Sequence, residues 1–222
     1  MEKSFQRPRK EEDLREKEAA GLWQAQALSK KIGEGSQKIT IDVILRIHGV
    51  FFRNVNPDIA GRFRKTGEDI KKLKCIEPPP GSVVMEKMYE FWRELDTRLA
   101  KMPSLPKGSG KKTLRRTLQK RSEVVVDLAT WVQYKIASIH PFCEGNGRMA
   151  RLMTNLILYR HQLCPTDIKY EGENKAAYLA ALCEIDHEGD FRPLQQLIIK
   201  GIIDSYKKFV EAQEKATHVK KP

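Results

Sequence analysis

Apolar residues recur three and four positions apart over most of this chain, the period of a helix with one buried face. Leu128, Ala129, Val132, Ile136 and Ala137 make one such stripe, and Leu152, Met153, Leu156, Ile157 and Leu158 make another. Between them lies a run of polar residues and glycines. The two stripes therefore predict two buried helices joined by a loop that starts at His140, with Gly145 and Gly147 opening the second helix. Along the whole chain the period predicts helices near 10–32, 40–54, 57–66, 82–100, 122–139, 146–161, 174–187 and 191–212. Loops are expected at 67–81, 101–121 and 162–173. The fold class expected is all-α, without internal repeats or long heptads.

At 222 residues the chain suffices for one well-buried core and is too short for two ordinary domains. No apolar run reaches the length of a membrane span, and the start, Met1 to Gln6, is too polar for a secretory signal. A soluble cytoplasmic protein with no membrane partner is expected. Cys75, Cys143, Cys164 and Cys183 show no C-x-x-C pairing, which reads as a reducing compartment without disulfides or zinc. Cys143 reads as a passive small residue.

The formal charge of +12 raises a nucleic acid or an acidic membrane as partner. Basic residues concentrate at Arg7 to Lys10, Lys107 to Arg121 and Lys207 to Lys221, but Pro, Gly, Ser and acids are interspersed there. Solvated tails and a long surface loop account for them, and no recognition helix or aromatic stacking platform is visible. A nucleic-acid partner is not expected. Gly108 to Thr113 lacks the G-K-[S/T] ending and glycine spacing of a P-loop.

The twelve residues from His140 to Arg151 hold the chemistry. They read His140-Pro141-Phe142-Cys143-Glu144-Gly145-Asn146-Gly147-Arg148-Met149-Ala150-Arg151. A helix N-terminus offers unpaired N–H groups and partial positive charge, and glycines let an anion approach them. Amides around Gly145, Asn146 and Gly147 can form an anion nest. Arg148 and Arg151 share a face three residues apart and can add contacts to phosphate oxygens. Cations at a helix start oppose its dipole, so an anionic ligand would supply the compensation. Glu144 offers oxygens to a hard cation such as Mg2+, which takes one or two carboxylates plus substrate phosphates. His140 titrates near neutrality and can deprotonate an attacking hydroxyl. Phe142 reads as a core anchor.

This run resembles the signature of the Fic family, H-x-F-x-[D/E]-G-N-G-R-x-x-R, at every defined position. Ile44 to His48, Ala60 to Arg64 and Pro78 to Pro80 are similar to the family's upstream segments. Tyr178 to Leu182 and Gly189 to Leu194 are similar to its closing helices. The resemblance covers roughly residues 21 to 205. It implies a helical bundle at 21–212 between charged ends at 1–20 and 213–222, with a short β-hairpin flap beside the active site. It also implies protein adenylyltransferase activity: AMP passes from ATP to a Ser, Thr or Tyr hydroxyl of a target protein, and pyrophosphate leaves. Related readings are removal of AMP, transfer of UMP or phosphocholine, and a binding module without catalysis.

Carried over by position, the resemblance makes His140 the general base and Glu144 the holder of Mg2+. Gly145, Asn146, Gly147 and Arg148 bind phosphate oxygens. Arg151 meets the γ-phosphate or, in an inhibited state, a regulatory glutamate. Asn174 and Tyr178 are adenine contacts, although Tyr178 also reads as a core aromatic with a tethered hydroxyl. The flap should lie near Asp69 to Pro79, with Leu73, Lys74, Cys75 and Ile76 meeting the target. The family's inhibitory pattern, [S/T]-x-x-x-E-[G/N], is met in neither register near Ser29. One register puts Gly33 at the glutamate, and the other puts Lys30 at the Ser or Thr. Glu34 is the candidate for a weakened brake reaching Arg151, freed from helical register by Gly33. A homodimer or an antitoxin-like inhibitor acting in trans is a further expected partner.

Overall fold

A computed structural model describes residues 9–70, 75–103, 111–168 and 172–218. Seven helices are present among them: α1 (Arg9–Glu34), α2 (Ile41–Phe52), α3 (Val84–Ala100), α4 (Lys111–Ile139), α5 (Asn146–Arg160), α6 (Gly172–Glu188) and α7 (Arg192–His218). A 3-10 turn, Gly81–Val83, leads into α3. The all-α reading holds.

Helix α5 is the axis of the fold, packed between α4 on one side and α1 on the other. Met149, Met153, Leu156, Ile157 and Leu158 of α5 are fully buried against Val132 and Ile136 of α4 and Ile44, Ile47 and Phe51 of α2. A second cluster joins Tyr178, Leu182 and Ile185 of α6 and Leu194 and Ile198 of α7 to Val126 and Ala137 of α4. Both clusters draw residues from α4, and its C-terminal end delivers His140 between them.

Helix α1 buries Gly21, Ala25, Ser29 and Gly33, small residues at every fourth position. The interval explains the close seat of α1 on α2, where a Cβ on Gly21 would strike the Phe51 carbonyl, and on α5. A Cβ on Gly33 would lie 2.6 Å from Tyr159 Cβ and 2.8 Å from the Leu156 carbonyl oxygen. Arg160 then donates to the Ile32, Gly33 and Gln37 carbonyls, which pairs the backbone acceptors that a helix C-terminus leaves open. Gly33→Glu, which restores a glutamate at one register of the inhibitory pattern, should overpack this contact. The expected cost is about 1–3 kcal/mol. Thermal unfolding should fall by roughly 5 °C; an unchanged midpoint would mean that α1 does not rest on α5.

The structure differs from the periodicity in four places. No helix forms over 57–66: the segment is a set of turns, with Gly61 at φ 69° and the backbone N–H groups of Gly61 and Arg64 given to His48 Nδ1 and the Pro141 carbonyl. The 111–121 part of the expected loop at 101–121 is helix, since α4 starts at Lys111. Straight-chain residues without Gly or Pro favour that helix, and its few apolar positions hid the period. α7 reaches His218, so that helix extends past its expected end at 212. Finally, no hairpin is present among the described residues. Leu73 and Lys74 lie outside them, Ile76 has only an isolated bridge, and Pro78 to Pro80 cannot donate to a ladder.

The reading of four unpaired cysteines is also corrected. Cys75 and Cys183 form a disulfide across 108 residues, with Cα atoms 5.5 Å apart. Local spacing carries no trace of such a pair, because the contact exists only once the 75–80 segment lies against α6. Closing so long a loop is worth about 4–5 kcal/mol in the chain-entropy account. The cysteine argument for a reducing compartment falls with it. No helix among the described residues is long and apolar enough to cross a membrane.

Candidate active site

The loop between α4 and α5 is built to be rigid. Phe142 is fully buried and stacks on His48, ring centroids 3.8 Å apart at 3°. The Asn146 side chain closes the turn in both directions: its oxygen accepts from the Phe142 N–H at 2.8 Å and its NH2 donates to the Phe142 carbonyl at 2.7 Å. The amide expected to meet phosphate is thus engaged as a strut, and Asn146 offers the ligand chiefly its main-chain N–H. Gly145 caps α5 at φ 77°, where a Cβ would stand 2.4 Å from the Phe52 ring. Only glycine fits that turn.

A cavity of about 470 Å³ opens beside this loop. Its lining combines the polar residues His140, Gly145, Asn146, Gly147, Arg148 and Arg151 with the largely apolar Ile76, Ala137, Tyr178, Leu179 and Leu182. The first-turn N–H groups of α5 have no intrahelical acceptors, and no side chain caps them. Arg148 lies 4.5 Å over the Phe51 ring and donates to Glu18 at 3.1 Å. The Arg151 guanidinium folds back along the same turn, 3.7 Å from where a Gly147 Cβ would stand.

His140 adopts φ 50°, uncommon for a residue with a Cβ. Its Nδ1 lies 3.1 Å from the Ala137 carbonyl, an acceptor only, so Nδ1 carries the proton and Nε2 keeps its lone pair. Burial, assisted by the charge of Arg64 and opposed by the Ala137 contact, pulls its pKa below the ordinary 6.5. The imidazole is therefore neutral and able to accept a proton at pH 7.

Glu144 is exposed on the loop next to Gly145. Among the described residues no three His, Cys, Asp or Glu side chains converge as a metal cage. A single carboxylate beside an anion nest suits a cation that brings most of its ligands with a polyphosphate.

Other expected residues fare differently. Tyr178 lines the cavity, but its hydroxyl accepts from Gln133 at 2.9 Å, and Gln133 in turn meets Thr154. This buried tie fixes the ring as a wall. Asn174 is exposed on α6 one turn before Tyr178 and does not line the cavity. Cys75 and Ile76 do line it, held inward by the disulfide and by burial.

Glu34 is not brought to Arg151. α1 stays helical through Gly33, so Glu34 remains in register and faces Lys30 at 3.8 Å, beside the C-terminal half of α5. Glu18 is the α1 acid that reaches the motif, at Arg148.

Sequence reasoning missed Gln133, Glu18, His48 and Arg64 as parts of the site. The last two stand in the segments Ile44 to His48 and Ala60 to Arg64, and that likeness was their one signal. His48 is fully buried, accepts from the Gly61 N–H at Nδ1 and donates from Nε2 to the Glu144 carbonyl.

A family profile described as Fic/DOC matches residues 38–158. Protein adenylyltransferase fic-1 of Caenorhabditis elegans is 28% identical over 179 residues, 80% of this chain and 30% of that protein. Protein adenylyltransferase Fic of Nematostella vectensis is 29% identical over 197 residues, 87% of this chain and 40% of its own length. The chain thus spans well under half of these relatives. The solved structure of C. elegans Fic-1 superposes with a TM-score of 0.66 at 25% identity, covering 97% of this chain and 56% of that one. A Fic-domain signaling protein from Bacteroides thetaiotaomicron shares the fold, with a TM-score of 0.65 at 18% identity over 92% of this chain and 73% of its own. With the profile covering more than half of the residues and the motif loop formed as described, the chain belongs to the Fic/DOC family.

Proposed function

We propose that this protein transfers AMP from ATP to a Ser, Thr or Tyr hydroxyl of a protein target. The observation that carries this is a single cavity lined both by amides, guanidinium groups and a neutral imidazole and by apolar side chains. A nucleoside triphosphate has the matching polarity, and a volume of about 470 Å³ lies within the range of small-molecule sites. The names of the curated relatives point the same way.

The residues act as follows. Nε2 of His140 takes the proton of the incoming hydroxyl, whose oxygen attacks the α-phosphorus as the bond to pyrophosphate breaks. Such displacement needs positioning and charge stabilisation far more than covalent participation. The first-turn amides of α5, with Arg148 and Arg151, hold the phosphate chain. Glu144 would hold Mg2+, which neutralises phosphate charge when bound. Ile76, Leu179 and Leu182 exclude water from the base-binding end.

Any triphosphate that takes Arg148 competes with Glu18. Both side chains keep about a third of their exposure, 30% and 36%, and ion pairs of that kind are worth about 0–1 kcal/mol. This contact is a weak restraint on nucleotide binding.

The test is incubation of the protein with candidate targets, Mg2+ and ATP labelled at either the α- or the γ-phosphate. Label from the α-position alone should become covalent and chase to AMP. Label from the γ-position would mean a kinase, and label from neither would favour a binding module or AMP removal.

A further inference from the structure

Arg64 has a fully buried side chain, 0% exposed, in a loop with no helix or strand to fix it. Its bonds explain the burial. Nε donates to the His140 carbonyl at 2.7 Å, and Nη2 donates to the carbonyls of Ile139, at 3.2 Å, and Pro79. The Arg64 backbone N–H takes the next carbonyl, Pro141, at 2.9 Å. Three successive carbonyls at the C-terminal end of α4 are thus gathered by one residue. A cation there complements both the open acceptors and the negative end of the helix.

Two features of the site follow from this arrangement. His140 leaves the helix at φ 50°, which turns its carbonyl onto Arg64 while Nδ1 stays on Ala137 and the ring lines the cavity. A left-handed residue with a Cβ persists only where its surroundings over-determine it. The Pro79 carbonyl attaches the end of the 75–80 segment, which carries Cys75 and Ile76 of the cavity wall, to the same guanidinium. Asp69 stands 4.0 Å from the remaining amino group and accepts the Gly81 N–H, closing the base of that segment.

We propose that Arg64 is a positioning residue: its guanidinium holds His140 in the left-handed conformation that presents Nε2 to the cavity, and clamps the 75–80 wall to the same point. The consequence for transfer rests on the activity proposed above; the consequence for His140 does not. The planar fork matters because Nε and Nη2 donate from two separate atoms held in one plane, whereas an ammonium donates from a single point. The charged and titratable groups around the clamp are Asp69 and Cys143 beside Arg64, and the Glu68–Arg62 pair beyond Cys143.

The experiment compares wild type, Arg64→Lys and Arg64→Met in thermal unfolding, MgATP affinity, single-turnover transfer and the NMR titration of the His140 ring. Transfer should fall about a hundredfold in both variants, the scale of a misplaced reacting group, while MgATP binds as before. The His140 titration should move to higher pH in both variants, because a ring released from its clamp loses burial, the largest cause of its lowered value, and in Arg64→Met a nearby cation is gone as well. Wild-type transfer rates in Arg64→Lys, or loss of MgATP affinity in step with rate, would overturn the proposal. If Arg64→Met does not unfold cooperatively, Arg64→Lys decides alone. Should wild type transfer no nucleotide, the proposed activity fails, and the His140 titration still judges Arg64: an upward move in Arg64→Lys, which keeps the charge, sustains it and an unmoved ring there overturns it.

Discussion

Alanine at position 140 should lower AMP transfer by about 10²- to 10⁴-fold, the usual contribution of a positioned general base, with little change in MgATP affinity. The asymmetry follows from what the ring touches. Its Nδ1 proton is committed to Ala137, so Nε2 serves only to accept a proton, and phosphate binding falls to the α5 amides and the two arginines. The pH profile gives an independent check. Burial and Arg64 hold the His140 pKa below 6.5, and the reactive form is the neutral one. The midpoint of the acid limb should therefore lie below pH 6.5, with the rate level on the alkaline side. A midpoint above pH 6.5, or a variant that transfers at the wild-type rate, would remove His140 from the mechanism.

The helical character and the whole His140–Arg151 run were legible in the sequence because both are written in local spacing. Gly145, Arg148 and Arg151 stand where the motif required, on a helix start that periodicity located within a residue. What escaped was decided by contacts between distant segments. His48 meets the Glu144 carbonyl across 96 residues, Arg64 meets His140 across 76, and Cys75 meets Cys183 across 108. No windowed pattern contains those pairs. The misread segment at 57–66 has the same origin: its backbone donors are used on His48 and Pro141, which a helix would have kept for itself. Glu34 was misjudged because Gly33 looked like a helix breaker, whereas its missing side chain is what lets α1 lie on Tyr159.

The same contacts explain how cations persist at the start of α5 against its dipole. Arg148 is spread over the Phe51 and Phe52 rings and paired with Glu18, so part of its charge is met before any ligand arrives. Those rings belong to α2, which also carries His48. The aromatic floor of the phosphate end and the buried strut beneath Glu144 are thus one helix face, and a disturbance of His48 should be felt at the nest.

Acid should expose that dependence. His48 is fully buried between Phe142 and Phe52, accepts a hydrogen bond from Gly61 and can take a second proton only by opposing that N–H. Burial, reinforced by Arg148 and partly offset by the Glu144 carbonyl, lowers its pKa from 6.5 to about 4. Because the folded value is the lower one, the unfolded chain binds the proton first as pH falls. The stabilisation is complete above pH 6.5 and is lost between there and pH 4, by roughly 3 kcal/mol in all. His48→Gln cannot take up that proton, so its stability should fall less than that of wild type between pH 7 and 4. Since His161 is also pulled to about 4 and titrates in both proteins, the quantity to measure is the difference between their urea-unfolding free energies at each pH. A difference that stays constant from pH 7 to 4 would mean that His48 is not the neutral strut of the catalytic loop.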